Sequence, residues 1–268
     1  MRLFLAAAVL LLLALPAHAA FQQVYHKFDM TVHEDATAHV VEEFQLYMDS
    51  NESSLFYDRV IPLNDISAWK NVTSIENMRI HMDTRYAHLD NVRVRAQRRQ
   101  GCNPWTGTCY GIVRIEYDVS SAYGGSFMSK SQDKPRTYNY TFNPLSLSFG
   151  TSEEGDVVLP SVTELSIHLP ADSVIQTLNP FPDYFASTSL PVHGQPNLKW
   201  AGPAILSRME LGFTREDDLS TEIIGFFRTM QATIVGLLRS TEGLALIVMI
   251  VIALASTILL RRYREQQQ

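Results

Sequence analysis

Between positions 24 and 48 apolar residues alternate with polar ones. Val24, Phe28, Met30 and Val32 share one parity, and after the polar turn His33-Glu34-Asp35 a single parity again holds Ala38, Val40, Phe44, Leu46 and Met48. This period of two predicts a pair of half-buried antiparallel strands. Glu42 falls on the apolar parity of the second strand. Unpaired carboxylates are rarely buried, so an edge position or a solvated end of the sheet is expected there in preference to a functional carboxylate. Further strands are predicted at Leu55–Ile61, Met78–Met82, Val92–Arg98, Ile112–Val119, Arg136–Phe142, Thr163–Leu169, Val174–Leu178 and Ile205–Phe213, punctuated by Pro62, Pro160, Pro170 and Pro191. Many short strands at this spacing predict a mainly β fold of one or two antiparallel β-sandwich modules. The Ser- and Gly-rich stretch Ser120–Lys134 suggests a break: a first module over 20–122, a linker or loop over 123–134, and a second module over 135–215. A single sandwich carrying a long loop is the alternative.

From Leu219 the period changes. Apolar residues recur at Ile223, Phe226, Phe227, Met230, Ile234, Leu237 and Leu238, which is helical spacing. An amphipathic helix is expected over 217–242, with Asp217, Asp218 and Glu222 favourable at its start. Its apolar face can be covered by the preceding domain, by the membrane interface or by a partner's helix.

Two dense apolar blocks flank everything above. Leu3 to Leu15 follows Arg2 and leads through Pro16 to Ala17-His18-Ala19. A charged start, a short apolar run and an A-x-A site predict a signal peptide over 1–19, cleaved before Ala20. Leu244 to Leu260 has only Ser256 and Thr257 as polar members. With its flanks it approaches the ~20 residues that span a bilayer, so a transmembrane helix is expected over 243–260. Arg261, Arg262 and Arg264 then place the tail 261–268 in the cytoplasm by the positive-inside rule. The expected topology is type I and single-pass in a plasma or cell-envelope membrane, with the N-terminal ectodomain outside.

These blocks change how the composition reads. The chain of 268 residues is 46% hydrophobic with a net charge of −6. Setting aside Arg2, Arg261, Arg262, Arg264 and Glu265 leaves 18 basic and 27 acidic residues, so the part between the ends carries about −9. That balance argues against a nucleic-acid partner.

The two cysteines, Cys102 and Cys109, flank Asn103-Pro104-Trp105-Thr106-Gly107-Thr108 between two predicted strands. Exported cysteines at this spacing predict a disulfide closing a hairpin tip, not a C-x-x-C redox motif or a zinc site. The tip carries Trp105, either presented as a recognition point or folded back onto the sheet. Arg98 and Arg99 enter the same tip after Arg93 and Arg95. The usual meaning of such a run is a solvated face, and an anion or glycan site is the sharper one. Asn51, Asn71 and Asn139 head N-x-[ST] sequons in the exported part. No H-E-x-x-H, G-x-S-x-G, Walker or dinucleotide motif occurs. The expectation is a non-catalytic recognition or assembly ectodomain without cofactor or metal. Its partners are the bilayer and a protein met through the ectodomain or the juxtamembrane helix. An envelope hydrolase or carbohydrate-active enzyme with a site assembled only in space is the alternative.

The opening stretch has one further property. Tyr25 begins a strand, His33-Glu34-Asp35-Ala36 turns, Val40-Val41-Glu42-Glu43-Phe44 follows, and Phe56-Tyr57-Asp58-Arg59-Val60-Ile61-Pro62 closes it. Over about 40 residues this resembles the strand, D-G-like turn, V-x-E strand and R-x-I-P opening of a family of uncharacterised bacterial and archaeal predicted membrane proteins, with Ala36 where that family has Gly. The resemblance implies a signal peptide and a β-rich exported domain joined to transmembrane helices, and no activity.

Overall fold

The computed structural model describes residues 21–183, 185, 189–194, 197–216, 219–239, 249, 252–257 and 262. The expected signal peptide therefore lies outside the described residues, as do Arg261, Arg264 and most of the apolar block 243–260. Arg262 and residues 249 and 252–257 are helical and exposed. Among the described residues no helix is long and apolar enough to cross a membrane.

In chain order the elements begin with β1 (Phe21–Val32), β2 (Ala38–Met48), α1 (Asn51–Val60), α2 (Ile66–Thr73), β3 (Ala87–Ala96), β4 (Cys109–Ser121), β5 (Met128–Lys134) and β6 (Thr137–Phe142). They continue with β7 (Gly150–Thr151), β8 (Val157–Leu159), β9 (Thr163–His168), β10 (Val174–Asn179), β11 (Val192–His193), β12 (Asn197–Ala201), β13 (Ala204–Leu206), β14 (Glu210–Glu216) and α3 (Leu219–Arg239). The chain divides into two units, one through Glu216 and one from Asp217.

The fold is mainly β. A six-stranded sheet has the order β12-β9-β1-β2-β4-β3, a five-stranded sheet β11-β10-β14-β6-β5, and a small sheet β13-β8-β7. Among the described residues every strand pairing is antiparallel except β1 with β9, which run parallel. In β2, and in β4 as far as Val119, the burial alternates residue by residue, as sequence parity requires of strands with one face on a core. Buried residues of all three sheets join one hydrophobic cluster.

Several predicted elements are corrected. Leu55–Ile61 is not a strand but most of α1. Ser50 caps this helix reciprocally: its Oγ accepts from Ser53 N–H, and Ser53 Oγ accepts from Ser50 N–H. That capping box favours the helix over local alternation. Met78–Met82 is an irregular segment in which only Met82 makes a bridge, to Leu147. Ile205–Phe213 splits into β13 and β14 around Arg208, whose φ is 49°. The expected linker 123–134 contains β5, an edge strand exposed at all positions after Met128, so no apolar alternation announced it. Nor does that stretch divide two modules. β9 and β12 complete the sheet begun by β1, because strand pairing is set by tertiary register and not by chain order.

Two elements seat the irregular segment against the sheet. Tyr57 of α1 is fully buried, and its hydroxyl donates to Gln97 O at 2.8 Å and Ile112 O at 3.2 Å. Gly111 of β4 admits that ring, since a Cβ there would lie 2.4 Å from Tyr57 Cζ. Trp69 of α2 packs on Tyr57 with ring centroids 5.6 Å apart and donates from Nε1 to Leu63 O. Beyond α2 the chain runs beside residues 146–148: Asp83 N–H donates to Ser146 O at 2.7 Å, and Ser148 N–H donates to His81 O at 2.9 Å.

Gly111→Ala pushes a methyl into the Tyr57 ring in a packed core. Thermal melts of the purified protein should show a loss of about 2 kcal/mol, and an unchanged melting temperature would contradict this packing.

Candidate functional site

Glu42 is neither at an edge nor solvated, which corrects the expectation for it. β2 is an interior strand, and the Glu42 side chain points inward and is 0% exposed. Its neighbours come from three directions. His26 reaches it from β1, Tyr117 from β4, and His81 from the irregular segment after α2. Oε2 receives His81 Nδ1 at 2.6 Å and His26 Nε2 at 3.1 Å. Oε1 accepts from Tyr117 Oη–H at 2.6 Å and from the His81 backbone N–H at 2.8 Å. His81 Nε2 faces Asn77 Oδ1 at 3.0 Å, so both of its ring nitrogens meet acceptors. The His26 ring stacks on Phe44, with centroids 4.3 Å apart, and the His81 ring on Phe149 at 4.7 Å. His26 and His81 are both fully buried.

The electrostatics follow from this enclosure. Burial alone would raise the Glu42 carboxyl. The charge of His81 and the hydrogen bonds from His26 and His81 outweigh burial and hold the carboxyl down at about 2. Burial lowers His26 from its ordinary value, against the opposing pull of Glu42. Neutral His26 donates from Nε2, and its buried Nδ1 has no hydrogen-bond partner. Burial, then the Glu42 charge, raises the Tyr117 hydroxyl well above its ordinary value and keeps it a donor.

Two histidines and a glutamate suggest a metal centre, and their ligand atoms lie within 4.8 Å of one another. The geometry fits a proton-filled network better. The 2.6 Å between His81 Nδ1 and Glu42 Oε2 is well below the ~3.3 Å separating ligands around a tetrahedral zinc. The four donors already fill the roughly four lone-pair sites of the carboxylate. Among the described residues no fourth Cys, His, Asp or Glu joins the group. The cluster is a buried, hydrogen-bonded bolt between the sheet and the segment carrying His81.

The second site lies at the stapled tip, where the predicted disulfide joins Cys102 and Cys109. Inside the loop Asn103 N–H donates to Thr108 O, Gly107 N–H donates to Asn103 O, and Trp105 N–H donates to Asn103 Oδ1, all at 2.8–2.9 Å. The loop rests on the start of α1, where Ser54 Oγ donates to Gly107 O at 3.2 Å. Gly107, at φ 71°, leaves only 3.0 Å between an added Cβ and Asn51 N. On this constrained frame Trp105 is 93% exposed, so it does not fold back onto the sheet.

The other predicted site residues divide. Arg98 is exposed, whereas Arg99 is half-buried and pairs with Asp58 at 3.0 Å, which ties the tip to α1. Arg93 and Arg95 are exposed on β3, the edge strand. Asn51 at the start of α1 and Asn71 in α2 are exposed, and Asn139 in β6 is partly buried. The sequence reading missed His26, His81 and Tyr117. A signal existed for two of them: His26 shares the inward parity of Phe28 and Met30, and Tyr117 that of Val113 and Ile115. No protein-family model matches the chain, and no curated protein matches it.

Glu42→Gln replaces a carboxylate that accepts four buried hydrogen bonds by an amide that cannot accept them all, and should cost about 3 kcal/mol in urea unfolding. His26 is lowered in the folded state, so the unfolded chain binds its proton first. Its share of stability is present above about pH 6.5 and falls as the pH drops towards the lowered folded value. The Glu42 share is lost only between about pH 4.5 and 2. Urea midpoints at pH 7.5 and 5.5 should drop more for the wild type than for His26→Phe. Equal drops would contradict a neutral His26.

Proposed function

We propose that this protein is a type I, single-pass surface protein whose non-catalytic, sandwich-like ectodomain recognises a protein partner through the Cys102–Cys109 tip. The observation that carries the reading is Trp105, a large apolar side chain almost wholly in water on a loop fixed by a disulfide and by hydrogen bonds to its own turn and to α1. Large rigid aromatics supply most of the energy in small interfaces, and prior ordering of the loop lowers the entropy lost on binding. Arg98, exposed beside the tip, adds a cation that the disulfide loop leaves in solvent.

Anchoring rests on sequence alone: the apolar blocks Leu3–Leu15 and Leu244–Leu260 and the arginines after the second. The resemblance of the opening 40 residues to exported membrane proteins belongs to the same proposal. The non-catalytic half rests on the enclosure of the His26–Glu42–His81 cluster, which gives a substrate no approach to its carboxylate.

Crosslinking and pulldown from intact membranes test the reading. Trp105→Ala should abolish partner capture while leaving the melting temperature within about 1 °C, as expected for an exposed side chain. Cys102→Ser with Cys109→Ser should weaken capture and lower stability by about 2–3 kcal/mol, the closure entropy of so short a loop. Capture that survives Trp105→Ala sinks the tip as the recognition element.

A further inference from the structure

α3 carries an exposed apolar surface. Its described side chains, positions 226–236, are all exposed. Phe226 is 63% exposed, Phe227 56%, Met230 41% and Ile234 50%. At about 100° per residue these four fall within an arc of about 100°, and Arg228 lies roughly 150° from its centre. The helix thus pairs a broad apolar stripe with a cation on the opposite side. In the sequence the same spacing of apolar residues continues at Leu219, Ile223, Leu237 and Leu238, and a second arginine, Arg239, follows.

We infer that α3 lies in the plane of the membrane interface, with the stripe of Phe226, Phe227, Met230 and Ile234 in the acyl boundary and Arg228 towards the headgroups. Three observations select a lipid surface as the occupant. The stripe is wider than the a/d seam of a helix pair, so a single partner helix would leave part of it in water. Arg228 lies on the face opposite the stripe, where headgroups and not acyl chains would meet it. Only Ser240–Gly243 separate the end of α3 from the apolar block at Leu244. Four residues reach at most about 14 Å, so a chain that enters the bilayer at Leu244 holds α3 at its surface. This last point rests on the anchoring proposed above. The helix is about 32 Å long, and lying flat it would fix the direction in which the chain leaves the membrane.

The test uses the full-length protein in phosphatidylcholine–phosphatidylglycerol vesicles. Both native cysteines are held in the disulfide, so one added cysteine takes a nitroxide label alone. Labels replace, one at a time, Phe226, Arg228, Met230, Ala232, Ile234 and Gly236. The inference expects collisions with oxygen to exceed those with a water-soluble nickel chelate at Phe226, Met230 and Ile234, and the reverse at Arg228, Ala232 and Gly236, with a period of about 3.6 residues. High nickel accessibility at the stripe overturns it in favour of a solvated helix. Protection from both reagents overturns it in favour of protein packing, and spin–spin broadening at the stripe overturns it in favour of a second copy. Carbonate extraction at high pH separates the two proposals. A protein released from the vesicles refutes the anchor and the inference built on it, whereas a retained protein with a nickel-accessible stripe refutes the inference alone.

Discussion

The carboxylate of Glu42 is the point at which the chain's distant segments meet. It sits at the middle of an interior strand, where an unpaired charge would be prohibitively costly. Four hydrogen bonds from β1, β4 and the segment after α2 make the position tenable. The same bonds do structural work in return. The segment around His81 has almost no regular pairing of its own, and Glu42 grips both its backbone N–H and its side chain. That segment in turn runs beside residues 146–148 and stacks His81 on Phe149. A single buried anion therefore couples the six-stranded sheet to the connection that leads out of β6.

This arrangement keeps the buried polar network apart from the exposed tip proposed for recognition. The Glu42 carboxylate is enclosed and holds four hydrogen bonds, which suits a structural role. The outer face of the large sheet is also largely satisfied by its own partners. Tyr25 and Lys199 meet Glu164, His168 meets Asp29, Arg114 meets Glu116 and His39 meets Asp118. Such pairs add little energy in water but leave few free charges to a partner. What the domain offers instead is an apolar side chain at its stapled tip. The tip is tied to α1 by Ser54 and by Arg99–Asp58, and α1 is tied to the sheet through Tyr57. Rigidity at Trp105 thus derives from the same core that Glu42 organises.

Much of the fold was legible in particular residues. The parity of Phe28, Met30, Val40 and Phe44 announced β1 and β2, and the pair Cys102–Cys109 between apolar runs announced the stapled hairpin of β3 and β4. Elements went unread where local and tertiary preferences differ. Leu55–Ile61 has strand-like apolar residues, yet Ser50 and Ser53 cap it as a helix. β5 is polar on both sides because it lies at an edge. The two-module division failed because β9 and β12, from the second half of the chain, pair into the first sheet.

The sequence by itself determined the strand periodicity, the disulfide, the acidic balance of the central region and the helical stripe after Leu219. Each depends on residues close together in the chain, where spacing and chemistry suffice. Tertiary structure alone decided that Glu42 is buried and that Trp105 stands in water. It also decided that His26, His81 and Tyr117 share one carboxylate. The sequence placed Glu42 correctly on the inward parity. Its donors, however, lie 16, 39 and 75 residues away. Whether a charge on an inward position is an edge or a bolt depends on those donors, and only the folded sheet brings them within hydrogen-bonding distance.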